Sequence, residues 1–325
     1  IFTRVLKEEG VSAEWFDVRE VMATDDNFGN AEPNLKKIRK LAEERLVGRM
    51  KSERFVTQGF VGTTDDGRIT TLGRGGSDFT AALLAEAVDA DVLEIWTDVT
   101  AIYTSDPRMV ESARPISEIT FNEAAELSVF GAKVLHPATL KPAIRKNIKV
   151  YVGSSMRPEE PGTWIVKETR EYPVIRAISL RRNQTLVTVH SLEMLHRHGF
   201  LAQLFQILAN HKISVDLVTT SEVSVSLTFD TNLQGMNRQG LSEALIHDLQ
   251  KIAEVKIETD LALIALVGNK LDATAGVSGP IFGSLDHTNI RLICHGASPH
   301  NLCFLVRESE AAEVVRTLHD RFIAK

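Results

Sequence analysis

Apolar and polar positions follow two alternating patterns along the first half of the chain. Short apolar runs predict β-strands, and longer stretches with apolar residues three or four positions apart predict amphipathic helices between them. The predicted strands are Ala13–Val18, Arg54–Gly62, Arg68–Leu72, Val92–Val99 and Ile148–Ser155. The predicted helices are Ile1–Glu9, Asn34–Met50, Asp78–Val88, Phe121–Phe130 and Pro137–Lys146. Such alternation is typical of an α/β domain built on a largely parallel sheet.

The second half of the chain repeats one order of elements. Phe205–Ser221 aligns without gaps on Phe282–Ser298, and the strands that follow each stretch fall in register. Each copy reads strand, helix, strand, strand, helix, which is the start of a ferredoxin-like βαββαβ unit. The second copy ends with the helix Ser309–Ile323, and Val174–Leu180 could supply its last strand. The first unit would then be inserted in the second.

These patterns divide the chain into two predicted domains. The boundary falls where proline and glycine accumulate, in Met156–Tyr172 and at Pro173. The predicted bounds are 1–173 for the α/β domain and 174–325 for the repeats, with the first unit at about 182–259 inserted in a second unit formed by 174–181 and 260–325.

Composition narrows the partners and the compartment. A net charge of −6 and the lack of a Lys/Arg cluster argue against nucleic acid. The apolar runs are far too short for a membrane span. Cys294 and Cys303 cannot build a disulfide framework, so we expect a reducing compartment, the cytoplasm. The chain opens with Ile1 in a predicted helix, without a signal-peptide pattern, and we expect that a segment precedes it.

The stretch TLGRGGSDFTAALLAEA places three glycines between a predicted strand and a predicted helix. Glycines let the backbone turn sharply and let a ligand approach closely. Amides at a helix N-terminus favour an anion, Arg74 adds a planar fork for a carboxylate or phosphate, and Asp78 could hold an ammonium group. Ser77 is the predicted N-cap of the helix. On these residues alone, a plain turn and a ligand site are equally good interpretations.

Two further stretches offer ligand groups at strand ends, where open α/β sheets bind ligands. In WTDVTAIYTSDPRMV, Thr97 and Asp98 can hydrogen-bond a base or ribose. Tyr103 can stack on a base, and Arg108 can bind phosphates. In FGAKVLHPAT, Lys133 is a point charge suited to a phosphate. The alternatives are an ordinary polar loop and a solvated charge near a helix end. The sequence holds no Ser/His/Asp set and no zinc-like His/Cys spacing, so we predict no metal ligands.

In this order the stretches TTLGRGGSDFTAALLAEA, IWTDVTAIYTSDPR and FGAKVLHPAT closely resemble aspartate kinases. VTQGFVG upstream and RRNQTLVTVHSLEMLHRHGFLAQLF downstream extend the likeness over essentially the whole chain. The chain is most similar to the monofunctional, lysine-sensitive class. The resemblance implies an amino-acid kinase-type three-layer α/β domain followed by two ferredoxin-like βαββαβ ACT domains, one inserted in the other.

The resemblance also implies an activity, the transfer of a phosphoryl group from ATP to the β-carboxylate of L-aspartate. The product, 4-phospho-L-aspartate, opens the pathway to lysine, threonine and methionine. The implied catalytic residues are Arg74 and Ser77 at a carboxylate of aspartate, Asp78 at its amino group, and Lys133 at the phosphates. The implied nucleotide contacts are Thr97, Asp98, Tyr103, Arg108 and Lys133. Mg²⁺ would be carried largely by the oxygens of ATP.

Two departures from the family pattern need stating. Ala101 stands where the family usually has glycine, which would strain the backbone if φ is positive there. The family's N-terminal Lys-Phe-Gly-Gly-Thr-type loop, with a phosphate-binding lysine, and a later substrate-binding glutamate are not found, because Ile1 matches a point inside the kinase domain. We therefore expect a truncated chain without useful turnover in isolation, since one lost charge-stabilising group can cost roughly 10²–10³ in rate.

The second half resembles the lysine sensor of the family. The implied effector contacts are Met194, His196, Gly199, Phe200, Leu201, Ser214, Val215, Asp216, Thr220, Ser221 and Glu222. Ser214, Val215 and Asp216 are expected on the strand after the first repeat's helix, and Thr220, Ser221 and Glu222 in the turn that follows. Amides near Gly199 suit a carboxylate, and Asp216 with Glu222 could hold the two ammonium groups of L-lysine, the implied inhibitor. Without the resemblance, the apolar contacts read as core and both acids as solvated. Arg197 replaces a small polar residue of close relatives, which leaves the lysine affinity open. ACT units commonly pair in this family, so we expect a homodimer.

Two other functions fit parts of the sequence. A non-catalytic amino-acid sensor would join ACT units to a decayed kinase scaffold, but Arg74, Asp78 and Asp98 are intact, as are Arg108 and Lys133. The kinase portion of a fusion with homoserine dehydrogenase would carry a dinucleotide fingerprint, and none follows the second repeat. A lysine-inhibited aspartate kinase is therefore the leading hypothesis.

Overall fold

The computed structural model describes residues 1–131, 135, 137–195, 198–230 and 241–324 of the chain. The protein consists of two compact units. The first unit comprises Ile1–Tyr103 and Pro115–Glu171, and the second comprises Thr104–Arg114 and Tyr172–Lys325. The chain therefore leaves the first unit after Tyr103, returns after Arg114, and leaves again after Glu171. The short segment Thr104–Arg114 thus belongs with the C-terminal half.

The first unit alternates helices and strands, as the sequence predicts. Its helices are α1 (Phe2–Glu8), α2 (Leu35–Ala42), α3 (Gly76–Ala87), α4 (Phe121–Val129) and α5 (Pro137–Lys146). Its strands are β1 (Glu14–Phe16), β2 (Phe55–Thr57), β3 (Val61–Thr63), β4 (Ile69–Thr71), β5 (Val92–Thr97), β6 (Glu118–Thr120), β7 (Lys149–Ser154) and β8 (Thr163–Val166). The pairs β1–β2, β5–β7 and β6–β8 are parallel, whereas β3–β4 and β7–β8 are antiparallel.

Three predicted elements of this unit differ from the structure. The strand expected over Arg54–Gly62 divides at Gln58–Phe60, because Phe60 takes a left-handed φ of 60°. The helix expected over Asn34–Met50 keeps α geometry only to Ala42 and continues as a π-helical turn. The segment expected to be a boundary contains β8, whose Thr163 and Ile165 are fully buried against the neighbouring strands. Proline and glycine before this strand make the segment look like a loop in the sequence.

The second unit consists of one six-stranded antiparallel sheet with helices. Its strands are β9 (Ala177–His190), β10 (Leu217–Thr220), β11 (Ser224–Asp230), β12 (Glu254–Val267), β13 (Leu292–His295) and β14 (Asn301–Arg307), in the order β10-β11-β9-β12-β14-β13. Its helices are α6 (Phe200–Asn210), α7 (Glu243–Gln250), α8 (Ser278–Phe282) and α9 (Glu308–Phe322). No helix in the described ranges of either unit is long and apolar enough to cross a membrane.

The pairing of β9 with β12 joins the two repeats into this one sheet. Ala177–Arg181 pairs with the second half of β12, and Gln184–His190 pairs with its first half and with β11. The register shifts between these halves, where Asn183 and Asp260 both take a left-handed φ of 57°. Two separate apolar cores result, one under α6 and α7 and the other under α8 and α9.

We predict that Gly162→Ala destabilises the first unit. A Cβ at Gly162 would lie 2.1 Å from the carbonyl oxygen of Val152 and 2.7 Å from the ring of Tyr151. Both neighbours belong to a packed strand, so the substitution should cost about 1–3 kcal/mol in the free energy of unfolding. Urea denaturation measures this cost.

Gly48→Ala is the matched control for that substitution. Gly48 has a helical φ of −63°, and a Cβ there meets no atom within 4 Å. This control should therefore stabilise the protein by about 0.4–1 kcal/mol. Equal effects of the two substitutions would contradict the packing at Gly162.

Candidate functional site

The glycine turn between β4 and α3 needs glycine at two positions. Gly73 and Gly75 take left-handed φ values of 79° and 72°, which side chains other than glycine adopt at a cost. A Cβ on Gly73 would also lie 2.9 Å from the side-chain oxygen of Asn30. Gly75 occupies the N-cap position of α3, so the expectation that Ser77 is the N-cap is wrong. Ser77 instead lies exposed in the first turn of the helix.

Hydrogen bonds and close packing fix this turn against a second loop. The Thr80 hydroxyl donates to the carbonyl of Gly76 over 2.7 Å and accepts from the amide of Phe60 over 2.9 Å. A Cβ on Gly59 would lie 2.9 Å from the Cα of Ser77. The loops before β3 and after β4 therefore meet at the start of α3. Sequence reasoning did not assign Thr80, although its place one turn into the helix after the glycines was a usable signal.

Opposite charges lie on this turn. The Arg74 side chain is exposed, and among the described residues no carboxylate is paired with it. Asp78 is half-buried in the first turn of α3 and has interactions of its own. The turn therefore offers a planar cation, a carboxylate and helix N-terminal amides within five positions of the chain. Such a set can bind both ends of an amino acid.

A second group of predicted residues lies at the end of β5. The amide of Ser155 donates to the carbonyl of Thr97 over 2.8 Å, and the Thr97 hydroxyl donates to Asp98 over 3.1 Å. The hydroxyls of Thr100 and Tyr103 are 2.7 Å apart. These bonds hold the loop in one conformation with the Asp98 side chain exposed.

The strain expected at Ala101 is absent from this loop. Ala101 is 1% exposed, and its φ is not among the positive values of the described residues. Alanine therefore fits here without backbone cost, and the departure from the family pattern does not disturb the loop. Ser155 and Thr100 were not singled out from the sequence, because their roles depend on contacts between strand ends.

The other residues implied for the kinase reaction are not part of these two groups. Arg108 belongs to the second unit, where it pairs with Asp106 over 2.7 Å, and this pair lowers the pKa of Asp106. Lys133 and the effector residue His196 lie outside the described residues. The contacts above form two local groups, and their joint role in one site stays a prediction.

The predicted effector residues surround the first repeat's helix and the strand that follows. Gly199 takes a left-handed φ of 83° directly before α6. Phe200 is 2% exposed and Met194 packs on the same core, whereas Leu201 is exposed. Phe200 is therefore a core residue, as the alternative to an effector contact would have it. Glu222 is exposed in the turn after β10.

The expectation that Ser214, Val215 and Asp216 lie on the strand is wrong. Strand pairing begins only with Leu217 opposite Thr228, so these three residues form the loop between α6 and β10. The amide of Asp216 still donates to the carbonyl of Thr228 over 2.9 Å, which fixes the end of the loop. Thr220 closes β10, and Ser221 begins the turn after it.

A buried charge cluster holds Asp216 in place. The guanidinium of Arg181 lies 3.1 Å from Asp216 and 2.8 Å from Asp230. Burial raises the pKa of Asp216, Arg181 opposes that rise, and the carboxylate of Asp230 adds to it. The cluster therefore ties the end of the loop before β10 to strand β9 through one guanidinium. Arg181 and Asp230 were not predicted as site residues, because they are distant in sequence from Asp216.

Comparison with known proteins places these features in a family. The amino acid kinase family model matches residues 1–154, and an ACT domain model matches residues 264–322. Lysine-sensitive aspartokinase 3 of Escherichia coli K12 is 54% identical over 322 residues, which cover 98% of this chain and 71% of that protein. Chloroplastic aspartokinase 1 of Arabidopsis thaliana is 38% identical over 333 residues, which cover 99% of this chain and 58% of that protein.

Solved structures give the same result. E. coli aspartokinase III in complex with aspartate and ADP matches with a TM-score of 0.87 at 54% identity, over 98% of this chain and 72% of that chain. The same enzyme with lysine and aspartate matches with a TM-score of 0.86, over 99% and 72%. The class is therefore that of phosphotransferases that join an amino acid kinase domain to ACT domains. Within it, the chain belongs to the aspartokinase family, and the predicted fold class is confirmed.

We predict that Arg181→Gln strongly destabilises the second unit. The Arg181 side chain is 10% exposed, and its loss would remove the guanidinium that lies 3.1 Å from Asp216 and 2.8 Å from Asp230 in a buried site. Breaking a buried ion pair in this way costs about 3–5 kcal/mol. Urea denaturation at neutral pH measures the loss.

Arg182→Gln is the neighbouring control. The Arg182 side chain is 43% exposed and lies 3.6 Å from Glu308. A surface pair of this kind contributes about 0–1 kcal/mol. A loss at Arg181 no larger than that at Arg182 would show that the cluster does not depend on its guanidinium.

Proposed function

We propose that the enzyme to which this chain belongs transfers the γ-phosphoryl group of ATP to the β-carboxylate of L-aspartate and is inhibited by L-lysine. The observation that carries the first part is the glycine turn with Arg74 and Asp78 at the start of α3. A carboxylate and an ammonium group a few ångströms apart are what this pair of charges can bind together. The E. coli relative in complex with aspartate and ADP supports this choice of substrates.

In the proposed site, aspartate binds at the glycine turn. The planar fork of Arg74 would bind a carboxylate through two parallel hydrogen bonds, and Ser77 lies beside it on the exposed first turn. Asp78 would hold the ammonium group. Left-handed glycines let the backbone amides approach the ligand without interference from side chains. The second carboxylate of aspartate would then be left free to react.

The nucleotide would bind at the loop after β5. Thr97 and Asp98 would hydrogen-bond a ribose or base, and the hydrogen bond between the hydroxyls of Thr100 and Tyr103 would hold the ring of Tyr103. Arg108 and Lys133 are proposed to neutralise the phosphates. Mg²⁺ would enter on ATP, since it keeps few protein ligands.

The proposed reaction needs positioning and charge neutralisation more than covalent chemistry. An oxygen of the aspartate β-carboxylate attacks the γ-phosphorus, and the bond from that phosphorus to the bridging oxygen of ADP breaks. The products are the acyl phosphate and ADP, and no group of the enzyme becomes phosphorylated. Because both reactants are anions, cations at the junction lower the barrier.

The proposed lysine site combines the start of α6 with the charge cluster at Asp216. Amides after Gly199 would bind the effector's carboxylate, and the Asp216 carboxylate would hold an ammonium group. Glu222 would supply a second, exposed acid. The E. coli relative in complex with lysine and aspartate supports this choice of effector.

We also propose a homodimer formed through the ACT units. Leu201 and Phe205 on α6 and Val218 on β10 are exposed apolar side chains of the first repeat. Exposed apolar groups on neighbouring elements favour association with a second copy. The cytoplasmic location inferred from the presence of only two cysteines stays a prediction.

The aspartate site is tested by Arg74→Lys and Asp78→Asn in the enzyme at the length of its relatives. Arg74→Lys keeps the charge but loses the bidentate fork, so the KM for aspartate should rise while the KM for ATP changes little. Asp78→Asn should act on aspartate in the same way. Trapping the acyl phosphate as a hydroxamate measures both constants. A rise in the KM for ATP alone would make the turn a nucleotide loop and contradict the assignment.

The lysine site is tested by titration calorimetry on this chain. A lysine ammonium favours the ionised form of Asp216, so lysine affinity should fall as pH falls through the raised pKa of that carboxyl. Asp216→Asn should weaken lysine binding about tenfold at pH 7.5 and abolish this pH dependence. Glu222→Ala should weaken binding by about the same factor.

Asp286→Asn is the control for these variants, because Asp286 is an exposed acid of the second repeat. Its lysine affinity and pH dependence should equal those of the unaltered chain. A full pH dependence in Asp216→Asn would exclude Asp216 as the titrating contact.

A further inference from the structure

The segment Thr104–Arg114 forms a closed loop whose base adjoins the proposed nucleotide loop. Tyr103 and Pro115 form a β-bridge, and the amide of Thr104 donates to the carbonyl of Arg114 over 3.0 Å. The segment therefore leaves and re-enters the first unit at neighbouring points. Thr104 follows Tyr103 directly in the chain.

The loop is anchored by apolar packing within the second unit. Val110 is 2% exposed and belongs to the core cluster that contains Ile178, Val314 and Leu318. Met109 and Ala113 pack against the same cluster. The segment is therefore an integral part of the second repeat's core, not a surface loop of the kinase domain.

A buried histidine fixes both ends of the loop. His319 on α9 is 0% exposed, and its Nε2 lies 2.8 Å from the Thr104 hydroxyl. Its Nδ1 lies 3.1 Å from the hydroxyl of Ser112, which lies 3.1 Å from a carboxylate oxygen of Asp320. The Thr104 hydroxyl also accepts the amide of Arg114 over 3.0 Å.

These contacts allow one complete arrangement of protons. Ser112 must donate its proton to Asp320, so it accepts from Nδ1–H of His319. Nε2 is then an acceptor and receives the proton of the Thr104 hydroxyl. Burial lowers the pKa of His319, Asp320 opposes this and Arg114 adds to it, so the ring is neutral at pH 7. With the ring neutral, each hydrogen bond in the series from Asp320 to the Arg114 amide has one donor and one acceptor.

Strand β9 connects this node with the proposed effector site. The amide of Ile178 donates to the carbonyl of Thr104 over 2.8 Å. Arg181, which pairs with Asp216, lies further along the same strand. Thr104 is therefore held from two sides, by α9 and by the strand that carries the charge cluster.

We infer that His319 is a positioning residue for the kinase reaction, which fixes Thr104–Arg114 and passes the state of the effector site to the nucleotide loop. This inference rests on the proposed function, which supplies the nucleotide and the effector. A fixed segment orders the Tyr103 loop before the nucleotide binds, so binding needs less ordering. Lysine at the cluster acts on the same segment through β9.

The test measures ADP–Mg²⁺ affinity of this chain by calorimetry, with and without saturating lysine. In the unaltered chain, lysine should weaken ADP binding, and ADP should weaken lysine binding by the same factor. His319→Leu, Thr104→Val and Ser112→Ala should each weaken ADP binding about fivefold without lysine, as loss of a buried hydrogen bond implies. In these variants the lysine effect on ADP should fall towards a factor of one.

Two kinds of control separate positioning from general stability. Thr104→Ser keeps the hydroxyl and should retain the ADP affinity and the lysine effect, which a role in packing alone would not require. Val315→Ala removes buried packing on the same helix without removing a hydrogen bond of His319, so it should lower the melting temperature and change both affinities less than His319→Leu does. Hydrogen exchange of the Thr104, Val110 and Arg114 amides should rise more in His319→Leu than in Val315→Ala.

The outcomes distinguish this inference from the proposed function. If the folded, unaltered chain binds neither ADP nor lysine, the proposed function is wrong and this inference falls with it. If it binds both but lysine does not change ADP affinity, only the inference is overturned. The same holds if Thr104→Val and Ser112→Ala fold and keep the unaltered affinities and lysine effect.

Discussion

The pairing of β9 with β12 is the interaction on which the second unit depends. These two strands of 14 residues carry both repeats, and each repeat adds its own strands to one side of the pair. Because side chains alternate between the faces of a strand, a slip of one residue would move every apolar group to the wrong face. It would also separate Arg181 from Asp230. The register thus sets the cores and the charge cluster together.

One consequence is that strand β9 contacts both the charge cluster of the proposed effector site and the segment next to the proposed nucleotide loop. Arg181 holds Asp216, and Ile178, which precedes it on β9, holds the carbonyl of Thr104. We infer that a change in the balance of charge at Asp216 reaches Thr104 along this strand.

The α/β order, the repeats and the loops with chemistry could be predicted because they follow from local signals. Glycines at Gly73 and Gly75 mark the turn, and the left-handed φ values explain why no other residue suits them. Partners from distant segments could not be predicted. Arg181 looks like any arginine in a strand, and His319 looks like a helix residue, until the fold buries them beside Asp216 and Thr104.

The two wrong expectations about where elements begin also arise because hydrogen-bonding partners are not visible in the sequence. Ser77 reads as an N-cap from its residue type, but the left-handed Gly75 takes that position. Ser214–Asp216 reads as strand, but pairing with β11 begins only at Leu217. In both cases the hydrogen-bonding partner, which the sequence does not display, decides where the element begins.

Lysine control of aspartate phosphorylation, as proposed for this enzyme, is tested most directly by hydroxamate formation from aspartate, ATP and Mg²⁺ in the enzyme at the length of its relatives, while lysine or leucine is titrated. Lysine should lower the rate, and leucine, which lacks the second ammonium group, should leave it unchanged. No product from aspartate, or equal responses to lysine and leucine, would contradict the proposed activity and its control.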